Sequence, residues 1–119
     1  MLICYHSNMV TGSAKVVVME RELKRVRQRS NYLYDAVAAL QGTDECEQFL
    51  SDLLTPHEAE EFANRWAIAS LLLEGMTQEE ISKVLKVSST TVSRVNAFVQ
   101  RGKGGYRLIW DRLKKKGRE

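Results

Sequence analysis

Residues 77–96 read TQEEISKVLKVSSTTVSRVN, which is two helical segments joined by a two-residue turn. Thr77 can cap the first segment, and Glu80, three residues later, completes a capping box. The first segment has an apolar face made of Ile81, Val84 and Leu85, and the second has one made of Val92, Val95 and Val99. Ser88 can cap the second segment. Because Lys86 stands where a turn commonly has glycine, it must either take the left-handed backbone conformation or alter the turn. The pattern predicts a helix-turn-helix.

The outward face of the second segment is suited to a DNA groove, because its side chains are small or basic and none is acidic. Arg94 is the best candidate for a bidentate contact with a base, most naturally guanine. The alternative is that Arg94 pairs only with a phosphate, or with Glu79 or Glu80. We predict that the following residues contact DNA: Lys83, Lys86, Ser88, Ser89, Thr90, Thr91, Ser93, Arg94, Ala97 and Arg101.

The net charge of +3 is unevenly distributed along the 119 residues. Residues 88–119 hold nine Lys or Arg against two acidic residues, a net charge of +7. Residues 1–87 hold nine basic against 13 acidic residues, a net charge of −4. Because the phosphate backbone attracts clustered positive charge, double-stranded DNA is the expected partner of the C-terminal third.

Other classes of function find little support in the sequence. Cys4 and Cys46 lie far apart, and no histidine or second cysteine follows either at metal-ligand spacing, which suits a reducing cytoplasm. The glycine-rich residues 102–105 lack the spacing of a phosphate-binding loop. No nucleophile–base set or paired carboxylates are evident, and no apolar run has the ~18 residues of a membrane span. We therefore expect no enzyme, no cofactor and no membrane partner.

The rest of the chain predicts an all-helical protein with one domain over residues 19–114. Residues 1–18 are expected to be a disordered or non-native extension, with Met9 or Met19 as alternative starts to Met1, and residues 115–119 a basic tail. Six helices are predicted, at about 20–41, 44–53, 56–74, 78–85, 89–101 and 106–113. The helix over 56–74 is apolar around most of its circumference in its second half, which predicts burial in the centre of the protein or between two chains.

From Leu53 to Leu113 the chain resembles the Trp repressor superfamily, and specifically its YerC/YecD branch. The matching segments are Leu54-Thr55-Pro56-x-Glu58, Asn64-Arg65, Leu71-Leu72-Leu73-Glu74-Gly75, Thr77-Gln78-x-Glu80-Ile81, Ser89-x-Thr91-Val92-Ser93-Arg94-Val95-Asn96, and Gly102–Gly105 with Tyr106. The resemblance implies a six-helix, intertwined homodimer that regulates transcription, as a repressor. Two-fold symmetry would place two helix-turn-helix units about one DNA turn (~34 Å) apart, on a near-palindromic operator.

The resemblance also bears on ligand binding. In the repressor proper, one arginine from each of two helices encloses the tryptophan indole, beside a glycine. Arg94 matches the second arginine, whereas Ala67 stands at the first position and Val95 at the glycine position. We therefore predict that tryptophan does not bind. One alternative is a repressor gated by another small molecule, in a pocket lined by Ala67, Arg94, Val95 and Phe98. Another is a protein–protein module that has kept the fold without DNA binding.

Overall fold

Residues 12–117 are described in the computed structural model, and all regular structure in them is helical, as predicted. Seven helices occur in this part of the chain: α1 (Gly12–Arg27), α2 (Arg29–Ala38), α3 (Thr43–Leu53), α4 (Pro56–Leu73), α5 (Gln78–Leu85), α6 (Ser89–Arg101) and α7 (Gly105–Gly117). The chain divides into two compact units, Met1–Gln48 and Phe49–Glu119.

The prediction of a single helix over residues 20–41 was wrong, because α1 and α2 occupy this stretch with a break between them. At Gln28 the backbone leaves the helical region, with φ −87° and ψ 65°. The N–H of Gln28 bonds to the carbonyl of Arg25 at 3.1 Å, which tightens the last turn of α1. α1 also starts at Gly12, so residues 12–18 are helical, and the rest of the predicted extension lies outside the described residues.

The helical core of the second unit is formed by three helices. Ile68 and Ala69 of α4 pack with Ile81 of α5 and with Val92 and Val95 of α6, and each is at most 4% exposed. Fully burying one such aliphatic side chain contributes roughly 1.5–3 kcal/mol. The core therefore fixes α5 and α6, which form the helix-turn-helix, to α4.

One prediction of burial needs correction. Val84 was expected on the inward face of α5 but is 62% exposed. For α4, burial was expected in the centre of the protein or between two chains; within the single chain one face of α4 enters the core, and Phe62 is 50% exposed. Because a helix turns about 100° per residue, a short apolar run covers directions that one packed neighbour cannot reach.

α7 is attached to α4 at both ends. Near its start, the ring of Tyr106 stacks on Trp66, with ring centroids 6.2 Å apart. Near its end, Lys114 forms an ion pair with Glu74, and its ammonium lies 5.2 Å from the centroid of the Trp110 ring. α7 continues beyond the predicted helix end at Leu113 as far as Gly117.

Two capping boxes begin α4 and α5, as the sequence predicts. Thr55 Oγ1 accepts the N–H of Glu58 at 3.1 Å, and Glu58 Oε1 accepts the N–H of Thr55 at 2.9 Å. Thr77 and Glu80 make the same reciprocal pair at 3.2 and 3.0 Å. The backbone N–H and hydroxyl donors of each threonine stabilise the carboxylate, so they lower the pKa of Glu58 and of Glu80 below 4.5.

The two caps predict an acid-dependent loss of stability. A depressed pKa contributes stability that is present above the unfolded-state pKa and is lost as the pH falls through the folded-state pKa. We expect the Glu58→Gln/Glu80→Gln variant to show a shallower fall in the free energy of unfolding below pH 4.5 than the native chain. Urea unfolding at a series of acidic pH values measures this. Glu60→Gln, on α4 beyond its first turn, is the control; an equally shallow profile for it would contradict the assignment.

Candidate nucleic-acid interface

The turn between α5 and α6 is held by one side chain and one unusual backbone conformation. Lys86 has φ 56° and ψ 46°, so of the two alternatives it takes the left-handed conformation and leaves the turn unaltered. Ser82 Oγ donates to the carbonyl of Val87 at 2.7 Å, and the N–H of Val87 bonds back to the carbonyl of Ser82 at 3.2 Å. These bonds fix the angle at which α6 leaves the turn.

Replacing Lys86 with glycine should stabilise the chain. A side chain in the left-handed conformation costs roughly 1–2 kcal/mol, while glycine makes the unfolded chain freer by roughly 0.5–1 kcal/mol. We expect Lys86→Gly to raise the free energy of unfolding by up to about 1 kcal/mol, measured by urea denaturation. Lys83→Gly, within α5, should lower it by about 1 kcal/mol. Equal losses in the two variants would show that Lys86 is unstrained.

Hydroxyl groups organise the start of α6. Ser88 Oγ accepts the N–H of Thr91 at 3.1 Å and lies 2.8 Å from Thr91 Oγ1. Ser88 is therefore the N-cap of α6, and Thr91 is half-buried beside it. The next two residues, Ser89 and Thr90, are exposed at the first turn. Free backbone N–H groups and hydroxyls at a helix start suit phosphate oxygens and base edges.

The burial of Val92 and Val95 turns the opposite side of α6 outward. Ala97 is half-buried. Most of the predicted DNA-contact residues are exposed, namely Lys83, Lys86, Ser88, Ser89, Thr90, Ser93, Arg94 and Arg101. Among the described residues no ion pair involves Arg94: Glu79 pairs with Lys83 at 3.4 Å, and Glu80 closes the cap of α5. The guanidinium of Arg94 is thus presented on the outward face of α6.

Sequence reasoning missed a residue that joins the two helices of the unit. Ser93 Oγ donates to Gln78 Oε1 at 3.0 Å, across 15 residues of chain. Gln78 is the first residue of α5, and its amide nitrogen keeps its two protons for another acceptor. The bond holds Ser93 and the start of α5 together on the same exposed surface. No sequence signal for this pair exists beyond the polar character of both residues.

A cavity of about 870 Å³ lies beside the outward face of α6. Its wall contains four cationic side chains, those of Arg65, Arg94, Arg101 and Lys103. Two aromatic rings, those of Phe98 and Tyr106, also line it. The rest of the wall is Val95 and part of the glycine-rich turn, namely Gly102, Gly104 and Gly105. A smaller cavity of about 310 Å³ also has Arg65 and Arg94 in its wall. No acidic side chain lines the larger cavity; Arg65 pairs with Glu61 at 3.3 Å, so Arg94, Arg101 and Lys103 are the side chains that favour an anion there.

This cavity corrects the predicted effector pocket. Arg94, Val95 and Phe98 line it, but Ala67 does not; α4 contributes Arg65 instead. Two residues along a helix is a rotation of about 200°, so Ala67 and Arg65 point in different directions. α4 thus brings an arginine to the cavity that Arg94 lines, which the match of Ala67 to the first arginine position did not anticipate. Val95 also lines the cavity, but it is only 4% exposed, so most of its side chain belongs to the core.

Within residues 12–117, no group of three or more His, Cys, Asp or Glu could hold a metal ion. Within the same range, no helix is both long enough and apolar enough to cross a membrane.

Comparisons with known proteins agree on one family. The family model described as Trp repressor protein matches residues 20–114. The uncharacterised protein YerC of Bacillus subtilis (strain 168) is 33% identical over 82 residues, which are 69% of this chain and 79% of YerC. The crystal structure of a candidate Trp repressor from Staphylococcus aureus has a TM-score of 0.69 and 32% identity, over 73% of this chain and 87% of that one. A TrpR-like protein from Eubacterium eligens ATCC 27750 has a TM-score of 0.69 and 31% identity, over 73% and 90%.

Proposed function

The chain belongs to the Trp repressor protein family, and from this membership we propose that it represses transcription by binding a specific DNA sequence as a homodimer. The observation that carries the proposal is the exposed, acid-free outward face of α6, with Arg94 at its centre. Membership makes a DNA-binding regulator the general expectation, and this face supplies the means of contact.

The positions of the contact groups support two roles on DNA, in which one group contacts bases and the others contact phosphates. Arg94 has the planar guanidinium that can donate two hydrogen bonds to guanine O6 and N7. Ser89 and Thr90 at the helix start, and Lys86 at the turn, suit phosphates. Gln78, fixed by Ser93, can donate its amide protons to a phosphate at the start of α5. Phosphate contacts would set the position of α6, and Arg94 would read the sequence.

Homodimer formation is supported by apolar side chains that the second unit leaves exposed. Phe62 on α4 is 50% exposed, and Leu108, Ile109 and Leu113 on α7 are 51%, 41% and 52% exposed. Large exposed apolar patches commonly mark protein–protein interfaces. A two-fold dimer would require a near-palindromic operator, with half-sites about 34 Å apart.

Selection of DNA fragments from a random library with the purified chain tests the proposal. We expect enrichment of a near-palindromic site and binding that weakens steeply with salt, because counterions are released on binding. Enrichment of no sequence would contradict sequence-specific recognition. Failure to bind any DNA at low salt would favour the protein–protein module.

A second candidate function, a regulator gated by a small anionic molecule, is favoured by the cavity that Arg65 and Arg94 share. Tryptophan remains a poor candidate, because the β-branched Val95 stands at the glycine position of the repressor proper and Phe98 occupies part of the wall. We expect calorimetry to detect no saturable tryptophan binding at micromolar concentration. A saturable signal would contradict this, and Arg65→Ala would then be expected to abolish it.

A further inference from the structure

α1 carries an apolar seam whose residues alternate at spacings of three and four. Val16, Met19, Leu23 and Val26 form the seam, and they are 56%, 53%, 47% and 40% exposed. A helix in water with such a seam gains free energy when a second helix covers it. The first eight residues of α1, 12–19, precede the part of the chain that matches the family model.

The spacing is that of a coiled-coil heptad, with Val16 and Leu23 at position a and Met19 and Val26 at position d. We propose that α1 pairs with α1 of a second copy of this chain, as a short parallel two-stranded coiled coil. The proposal concerns a contact between copies that the DNA-binding face does not use.

The charges beside the seam specify the partner and its direction. Lys15 and Glu22 occupy position g, and Glu20 and Arg27 occupy position e. In a parallel pair, position g of one helix faces position e of the next heptad on the other. Lys15 therefore meets Glu20 of the second copy, and Glu22 meets Arg27 of the second copy, twice each by symmetry. All four contacts join opposite charges.

The antiparallel arrangement is less favourable, because it places e opposite e and g opposite g. With the seam aligned, Glu20 approaches its own counterpart and so does Glu22. A negatively charged membrane surface is also a poor occupant, since Glu20 and Glu22 flank the seam. The second copy, in parallel, is the partner that the charges fit.

One contact within the chain competes for Glu22. Arg25 Nη1 lies 2.9 Å from Glu22 Oε1, with the two side chains 64% and 48% exposed. An exposed pair of this kind contributes little, and a carboxylate can accept from two guanidinium groups at once. Arg25 therefore does not prevent Glu22 from meeting Arg27 of the second copy.

The seam is short, so α1 needs another contact between the two copies in order to pair. Two heptads form a marginal helix pair when isolated, but any other contact between two copies raises the effective concentration of the two helices. In this respect the pairing rests on the proposed homodimer. α1 would then dock after or with dimer formation, rather than drive it.

Disulfide capture in the full chain tests the pairing, with Cys4 and Cys46 replaced by serine. Leu23→Cys places a thiol at position a, where two copies lie within disulfide reach. Arg21→Cys, at the outward position f, is the matched control. Under mild oxidation by oxidised glutathione we expect the Leu23→Cys dimer to form at least about tenfold faster than the Arg21→Cys dimer.

Charge exchange adds a second readout. Glu22→Lys or Arg27→Glu alone should slow capture at position 23, and the two together should restore it. Sedimentation equilibrium, run in parallel, distinguishes the pairing of α1 from the formation of the homodimer. A dimer in which position 23 is captured no faster than position 21 would overturn the pairing of α1 and leave the homodimer standing. A monomer would overturn both.

Discussion

Replacing Arg94 with alanine should lower the affinity for the selected operator by about 1–3 kcal/mol per half-site and relax the base preference at one position. The guanidinium is exposed on the outward face of α6, and in the described part of the chain it has no ion pair to give up on binding. The variant would therefore lose contacts made only with DNA. Titration of the operator and of an unrelated duplex at one salt concentration measures both effects.

Two control variants separate base reading from charge. Arg94→Lys keeps the positive charge but not the planar fork, so we expect it to keep the affinity for unrelated DNA and to lose most of the preference for the operator. Lys115→Ala, on the exposed last turn of α7, should weaken both duplexes slightly and alike. If Arg94→Ala weakened both duplexes equally, Arg94 would contact phosphates alone.

Replacing Ile68 with alanine should lower the free energy of unfolding by about 2–5 kcal/mol. Ile68 is 0% exposed and lies where α4 packs against the helix-turn-helix, so the lost side chain leaves a cavity that three helices would have to close. A loss of this size is a large part of the 5–15 kcal/mol typical of a folded domain. The variant should therefore unfold at much lower urea concentration.

Two control variants with smaller expected losses in the free energy of unfolding provide a comparison for Ile68→Ala. Ile68→Val removes one methylene and should reduce the free energy of unfolding by about 0.5–1.5 kcal/mol. Glu60→Ala, on the exposed side of α4, should change it by less than about 0.5 kcal/mol. A loss for Ile68→Ala no greater than that for Glu60→Ala would mean that α4 does not hold the helix-turn-helix.

Local signals in the sequence were sufficient for much of the fold. Thr55, Thr77 and Ser88 each cap the helix that the sequence assigns to them, because capping depends on residues within one turn. At Lys86 the sequence left open a left-handed residue or an altered turn, and the residue is left-handed. The break at Gln28 escaped prediction, since neither glycine nor proline marks it and the polar run over residues 27–31 is compatible with an exposed, continuous helix.

The lining of the cavity beside α6 could not be predicted from the sequence, because it depends on how the helices pack. Ala67 and Arg65 are two residues apart, and only the packing of α4 against α6 decides which of them faces Arg94. The bond between Ser93 and Gln78 likewise requires the crossing of α5 and α6. Exposure of Phe62 is another such case, because an apolar residue is compatible with the core and with an interface alike.

The stacking of Trp66 on Tyr106 has a consequence for how unfolding can be followed. The chain has two tryptophans, Trp66 on α4 and Trp110 on α7, and both belong to the second unit. Tryptophan fluorescence, excited at wavelengths that tyrosine does not absorb, therefore reports on that unit, whereas circular dichroism in the far ultraviolet sums over every helix, including α1 and α2. Comparison of the two signals in a single denaturation separates the unit that carries the proposed DNA-binding face from the helices that precede it.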